Sequence, residues 1–216
     1  MKWAGEHPGD LGVVIFQKVM PWARSKLIQI LDVCDPFWRE SGPGATFSLV
    51  DAVTCPTEAL AEEIRGITEV PVHVVRDGHD FSVYPRSTNR NAEYVWFGYS
   101  QNFPAAAYSV PEELLTVVSD RDCGYGGFVP WRDDSEAWEQ IARASIAVLP
   151  QRESWKSNNK EISARAMGLA IAKTAEDIER FRCPDERAKD WRDVSEWSAA
   201  RAGTEMRRVI ETVRTT

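Results

Sequence analysis

The chain is poor in the residues that most often announce a chemistry. It has 3 histidines and 4 cysteines in 216 residues. Cys34, Cys55, Cys123 and Cys183 are widely spaced. They form no CxxC pair and have no histidine at metal-ligand spacing, which argues against a zinc site and reads as reduced thiols. Cys34 and Cys55 sit in apolar runs, where a cysteine is usually a small buried hydrophobe. No GxGxxG follows any predicted strand, so a dinucleotide-dependent dehydrogenase ranks last among α/β enzymes. Positive charge is also short: the formal net charge is −7, and the first ninety residues carry 9 Lys and Arg against 12 Asp and Glu, a balance of −3. A dedicated nucleic-acid surface would need clustered cations, so small or neutral partners fit better. The N-terminus lacks a basic, apolar, small-residue order, and no apolar run approaches membrane-spanning length, so the expectation is a cytoplasmic chain with no membrane span. Internal repeats and low-complexity tracts are absent as well.

What the chain does have is a globular composition, 43% hydrophobic and 27% charged, sized for one large or two small domains. Short apolar runs at residues 12–16, 27–31, 52–55, 70–75, 94–97, 114–118, 127–129 and 146–149 read as buried strands. Helix signals lie between several of them. Residues 57–64 open on the capping residue Thr57 and carry spaced apolar positions, and 135–144 behave likewise. Strand, helix, strand repetition predicts parallel α/β sheets. Residues 81–92 lack apolar periodicity and read as a linker. Beyond Phe181 the chain turns charged and helical, with Trp191, Val194, Trp197, Met206, Val209, Ile210 and Val213 as an intermittent apolar face.

The densest chemical signal is Lys156-Ser157-Asn158-Asn159-Lys160, which follows the apolar run ending at Leu149 and Pro150 and precedes a helix ending near Gly168. A strand that turns through a polar loop into a helix offers unpaired backbone N–H groups at the helix start, and two lysines complete an anion cradle. The same residues also fit a solvated loop with a helix cap.

The order of several motifs carries a resemblance. Asp51-Ala52-Val53-Thr54-Cys55-Pro56-Thr57-Glu58-Ala59-Leu60, then Val72-His73-Val74-Val75-Arg76-Asp77-Gly78-His79-Asp80, then Val95-Trp96-Phe97-Gly98-Tyr99-Ser100 resemble the GT-B glycosyltransferases of the group-1, GT4-like type. The likeness covers roughly residues 12–180 and includes Asp32-Val33-Cys34-Asp35-Pro36 and Ala166-Met167-Gly168-Leu169-Ala170-Ile171. Asp77 stands where the family's hinge has Asn, and Ala170 where proline is common. The resemblance implies an α/β, GT-B-like fold, two Rossmann-like domains with parallel sheets facing a cleft, here with a truncated N-terminal domain of about four strands. The expected division is 1–85 for the acceptor side, 86–180 for the nucleotide-sugar domain, and 181–216 for a C-terminal helical segment packing back on the first domain.

By the same resemblance, Lys156 and Lys160 would neutralise a departing diphosphate. Ser157, Asn158 and Asn159 would orient it. Gly98 would admit the backbone to the diphosphate without a Cβ clash, and Ser100 and Asn102 would donate hydrogen bonds; a plain tight turn at Gly98 fits too. Arg121 is a further candidate for the anion, although a solvated arginine reads equally well there. Val129 and Trp131 lie where relatives hold the nucleobase, a place an indole also takes as a core or lid residue. Asp35, His7, His73 and His79 are the proton-transfer candidates, with Asp35 preferred and strand-end or exposed roles open for each. Asp120-Arg121-Asp122 matches the metal motif of another glycosyltransferase class only as a chance pattern, since GT-B-like enzymes generally need no metal.

Two departures stand out. Relatives carry paired glutamates, one near the donor sugar and one on the helix that binds the ribose; here Trp155 stands near the first position and Ser163 at the second, with Glu153 and Glu161 nearby and Glu161 on a different helix face, and the resemblance makes Glu161 and Ser163 the ribose-binding candidates beside Val129 and Trp131. The glycine-rich opening segment is missing, so the acceptor side would rely on a partner protein, a homodimer or a large acceptor. The resulting expectation is a metal-independent, hexosyltransferase-like enzyme. It would move sugar from a nucleoside-diphosphate sugar, its donor substrate rather than a cofactor, to the hydroxyl of a glycan, a small molecule or, less in keeping with the acidic balance, a modified DNA base. The alternative is a noncatalytic nucleotide-sugar-binding or scaffolding relative.

Overall fold

The computed structural model describes residues 12–17, 21, 23–41, 47–89, 91, 93–150 and 155–215. Nine strands are defined among them: β1 (Val13–Gln17), β2 (Ile28–Asp32), β3 (Ala52–Cys55), β4 (Val72–Val74), β5 (Tyr94–Gly98), β6 (Leu115–Ser119), β7 (Gly127–Pro130), β8 (Ile146–Val148) and β9 (Ala170–Ala172). The helices are α1 (Trp38–Ser41), α2 (Glu58–Arg65), α3 (Asp134–Ile141), α4 (Asn159–Ala166), α5 (Ala175–Arg180), α6 (Pro184–Lys189) and α7 (Ala199–Thr215). The described residues fall into two compact units. The first draws on Met1–Asp77, Glu153–Ser157 and Ala200–Thr216, the second on Gly78–Arg152 and Asn158–Ala199.

In the first unit, four strands run parallel in the order β1-β2-β3-β4. Side chains alternate across a strand, so neighbouring apolar residues of β2 and β3 serve opposite faces. Leu31, Val53 and Cys55 join Leu60, Ala61 and Ile64 of α2 on one face. Ile28, Ile30 and Ala52 join Met206, Val209, Ile210 and Val213 of α7 on the other. The spacing of those four α7 positions is that of a single helix stripe. Cover on both sides explains why β2 and β3 read as nearly unbroken apolar runs. Truncating a fully buried side chain such as Ile30 to alanine would cost roughly 2–5 kcal/mol.

The second unit holds five parallel strands in the order β7-β6-β5-β8-β9. Val95 and Phe97 of β5 pack with Ala137 and Ile141 of α3 and with Ala164 and Met167. Tyr94 and Trp96 face the other way, toward Ile178 of α5 and Phe181. The chain lays β6 and β7 on one side of β5 and then crosses to lay β8 and β9 on the other. This reversal opens a crevice beyond the carboxyl ends of β5 and β8, the place where open α/β sheets bind ligands.

Residues 81–89 and 91, read from the sequence as part of a linker, are built into the second unit. Tyr84 meets Trp138 edge to face at 5.1 Å. Ser87 N–H donates to Met167 O at 2.8 Å, Ser87 Oγ to Ala144 O at 2.6 Å, and the Asn89 amide to Arg143 O at 2.5 Å. Side chains satisfy the backbone here in place of a regular ladder, which leaves no periodicity to read. Trp191 also departs from expectation. It does not join the apolar face of α7 and stands 62% exposed.

Candidate functional site

At the crevice between β5 and β8, β5 ends on Gly98, whose φ of +142° suits glycine alone. Lys160, in the first turn of α4, is half-buried and donates from Nζ to Phe97 O at 2.8 Å. A β-carbon placed on Gly98 would lie 1.9 Å from that nitrogen. The ammonium also sits 5.4 Å from the centre of the Trp96 ring and 5.9 Å from that of Phe97, close enough for cation–π attraction. Two residues 62 positions apart are thereby joined, and a cation is held at the carboxyl edge of the sheet.

Beyond Gly98 the chain makes a 3-10 turn over Ser100–Asn102. Ser100 N–H donates to Asp120 Oδ1 at 2.6 Å, and this bond, the largest influence, holds the Asp120 carboxyl below its ordinary range. Arg121 Nε lies 3.8 Å from Asp120 Oδ2, with its side chain 84% exposed. Asp120 thus ties Ser100 and Arg121 to the ends of β5 and β6. The other carboxylate of the Asp-x-Asp pattern, Asp122, accepts from Gly124 N–H at 2.8 Å. Each acid is engaged in its own turn, and among the described residues no group of three His, Cys, Asp or Glu is placed to hold a metal. Asn102 is exposed, and its N–H donates to Tyr99 O.

Val129, half-buried in β7, packs on the core containing Phe97 and Ala137. Trp131 follows the same strand; its N–H donates to Ser119 O at 2.8 Å, its indole Nε1 to Asp134 Oδ1 at 3.0 Å, and its ring meets Trp138 at 5.1 Å. These contacts fix the indole by its edge and its backbone.

Beneath the first turn of α4 lies a polar chain. His79, 8% exposed, bonds through Nδ1 to Tyr84 Oη at 3.0 Å and through Nε2 to Asn159 Oδ1 at 3.2 Å. Tyr84 Oη in turn pairs with Ser163 Oγ at 3.1 Å, which donates to Asn159 O at 3.0 Å. With both ring nitrogens engaged, His79 anchors the helix start. Ser163 is drawn into that anchor, and Asn158, the N-cap, makes no side-chain capping bond. Tyr84 was not visible as a site residue in the sequence; the only signal was a tyrosine inside a stretch without periodicity.

Glu161 stands apart from this group. Its carboxylate pairs with Arg165 at 3.0 Å and Lys173 at 3.0 Å, and Arg165 continues to Asp190 at 3.1 Å. Burial works against its charged form, yet the hydrogen bonds and charges of Lys173 and Arg165 outweigh it and keep its carboxyl below the usual range.

The remaining predicted residues belong to the first unit. Lys156 is exposed, with Nζ 4.9 Å from the Trp155 ring centre. Ser157 Oγ donates to the Asp77 carboxylate, so the acid in the hinge position and the cradle serine meet. Asp35 is exposed after β2, its carbonyl accepting from Phe37 N–H. His73 lies on β4 with Nε2 buried and, among the described residues, without a hydrogen-bond partner; burial first, and the nearby Arg65 charge second, push its pKa down and favour the neutral ring. His7 and Glu153 lie outside the described residues.

No protein-family model and no curated protein matches this chain. Solved structures do. Sucrose-phosphate synthase from Thermosynechococcus elongatus matches with a TM-score of 0.60 at 11% identity over 88% of this chain and 68% of its own. HepE of Anabaena, in complex with UDP and glucose, matches at 0.63 and 9% over 88% and 72%. TarM matches at 0.59 and 7% over 87% of this chain and 50% of its own. At these identities the likeness is one of fold: two α/β units with parallel sheets, the GT-B glycosyltransferase architecture.

Proposed function

We propose that this protein is a glycosyltransferase of the GT4-like type that moves a sugar from a nucleoside-diphosphate donor to an acceptor hydroxyl. The observation that carries the reading is the Gly98–Lys160 pair at the switch point of the second unit. A diphosphate needs a cation held at the end of the strand, and Gly98, having no side chain, leaves the room in which Lys160 supplies it. The start of α4 adds its positive dipole end. In the reaction the bond between the anomeric carbon and the diphosphate oxygen breaks, its electron pair leaving with the diphosphate. The acceptor oxygen bonds to that carbon, and the acceptor proton passes to a base, for which exposed Asp35 is our candidate. Lys160 and Lys156 would stabilise charge that grows as the leaving group departs, so they act more on the transition state than on the bound donor. Ser100, Asn102, Arg121 and residues 157–159 would orient the diphosphate, and Val129 and Trp131 would flank the base. HepE is solved with UDP and with UDP-glucose, which makes uridine donors the first to try.

The test is incubation of the purified protein with UDP- and GDP-sugars, alone and with candidate acceptors, while free nucleotide is measured. Release from one donor, lost in Lys160→Ala, is the expected result. Unaltered turnover and UDP affinity in Lys160→Ala together with Lys156→Ala would overturn the reading, whereas UDP binding with no turnover of any donor would assign the chain to a noncatalytic relative.

A further inference from the structure

At the opposite end of the second sheet, by the amino ends of β8 and β9, a cavity of about 320 Å³ is lined by Arg165, Arg187, Arg192, Trp191, Ser145 and Asn89, among others. We propose that it is a second ligand site, taking a small anion that carries a planar ring.

Charge is the first argument. The chain carries 33 acidic against 26 basic side chains, yet the described lining holds three guanidinium groups and neither Asp nor Glu. Arg165 is neutralised by Glu161 and Asp190, but Arg192, among the described residues, donates to the carbonyl oxygens of Lys189 and Trp191. Carbonyl oxygens aim a guanidinium without cancelling its charge. Arg187 is fixed at the cavity wall by bonds to Phe181 O at 2.6 Å and Arg182 O at 3.2 Å. A planar fork of N–H donors matches the oxygens of a phosphate or carboxylate.

The second argument is Trp191, a large apolar ring left 62% exposed at the cavity wall. Its backbone neighbour Asp190 accepts from Arg165 Nη1 at 3.1 Å and from Ile171 N–H of β9 at 2.9 Å. That clamp holds the segment bearing Trp191 and Arg192 against the sheet, so the site is formed before a ligand arrives and little ordering is required on binding. The volume lies at the small end of the ~300–1,000 Å³ range of small-molecule pockets, which suits one ring and one anionic group.

The site lies at the end of the strands away from Gly98 and Lys160, so it is separable from the proposed donor site. Phenyl phosphate serves as the probe, with inorganic phosphate and benzyl alcohol as half-probes, read on ¹⁵N-labelled protein. The Trp191 indole N–H resonance is identified by its loss in Trp191→Phe. Phenyl phosphate is expected to shift that resonance saturably and at lower concentration than either half-probe. Arg192→Ala is expected to weaken the response about tenfold, in line with loss of a charge-assisted pair, while Lys160→Ala leaves it unchanged. Absence of a saturable shift, equal affinity in Arg192→Ala, a response to inorganic phosphate as strong as to phenyl phosphate, or loss in Lys160→Ala would each overturn the proposal.

Discussion

Lys160 occupies the space that a side chain on residue 98 would fill, with Nζ 1.9 Å from the position of a Gly98 β-carbon. The pair therefore makes a coupled prediction. Gly98→Ala must both strain a backbone held at φ +142°, costing about 1–3 kcal/mol, and push the ammonium aside. Lys160→Ala removes the obstacle and leaves only the backbone cost. In a double-mutant cycle read by chemical denaturation, Gly98→Ala should cost less stability in the Lys160→Ala background than in the wild type. Additive costs would show that Lys160 swings away freely and that the two residues are not coupled.

Asp120 supplies a pH signature for the adjoining turn. Its carboxyl is held below 3.8, its ordinary value, chiefly by the Ser100 N–H. A depressed carboxylate contributes stability that is present above the unfolded value and is lost as pH falls through the folded one. The Ser100 amide resonance should therefore titrate with a midpoint below 3.8. In Asp120→Asn this low-pH step should vanish. A titration midpoint of the Ser100 amide above 3.8 contradicts the bond.

Much of the architecture was legible because parallel strands covered on both faces announce themselves as apolar runs, as at β2, β3 and β5. Gly98 and Lys160 were each legible by type, the one as permissive backbone and the other as a cation near a helix start. Their contact was not, because it depends on the sheet reversing direction between β6–β7 and β8. The anchor of His79, Tyr84, Asn159 and Ser163 was hidden for a different reason. Tyr84 lies in a stretch ordered by side-chain-to-backbone bonds, and such bonds have no period. Trp191 counted toward a helical stripe in sequence, whereas the break between α6 and α7 turns it outward to a cavity.

Glu161 separates a structural from a substrate-binding role. Its carboxylate, 24% exposed, bridges Arg165 and Lys173. Arg165, at 10% exposed, keeps Asp190 as a second partner, so Glu161→Gln should cost about 1–2 kcal/mol, less than the ~3–5 kcal/mol for stripping a buried charge of its only counter-ion. Urea unfolding measures this cost, and UDP titration of the same variant should return the wild-type affinity. A tenfold loss of affinity with unchanged stability would instead make Glu161 a ribose ligand.

The cysteines give a check on the first unit that is independent of any ligand. Cys55 is fully buried on the α2 face of the sheet. Burial is the main influence on its thiol, pushing it up to about 11, and the Thr57 backbone bond opposes this only in part. Thiolate is the reactive form, so burial and a raised pKa both suppress attack on a disulfide reagent. Cys183, by contrast, is exposed. With an aromatic disulfide reagent at pH 8, Cys183 should react within the mixing phase, while Cys55 should react only at the rate at which the first unit unfolds. The raised pKa has a second consequence. A thiol that ionises near 9 when unfolded and near 11 when folded contributes stability that is intact below 9 and is lost as pH rises toward 11. Cys55→Val, close in volume and without a proton to lose, should flatten that alkaline limb of the stability curve. Native-state labelling of Cys55 faster than unfolding would place it outside the packed face between β3 and α2.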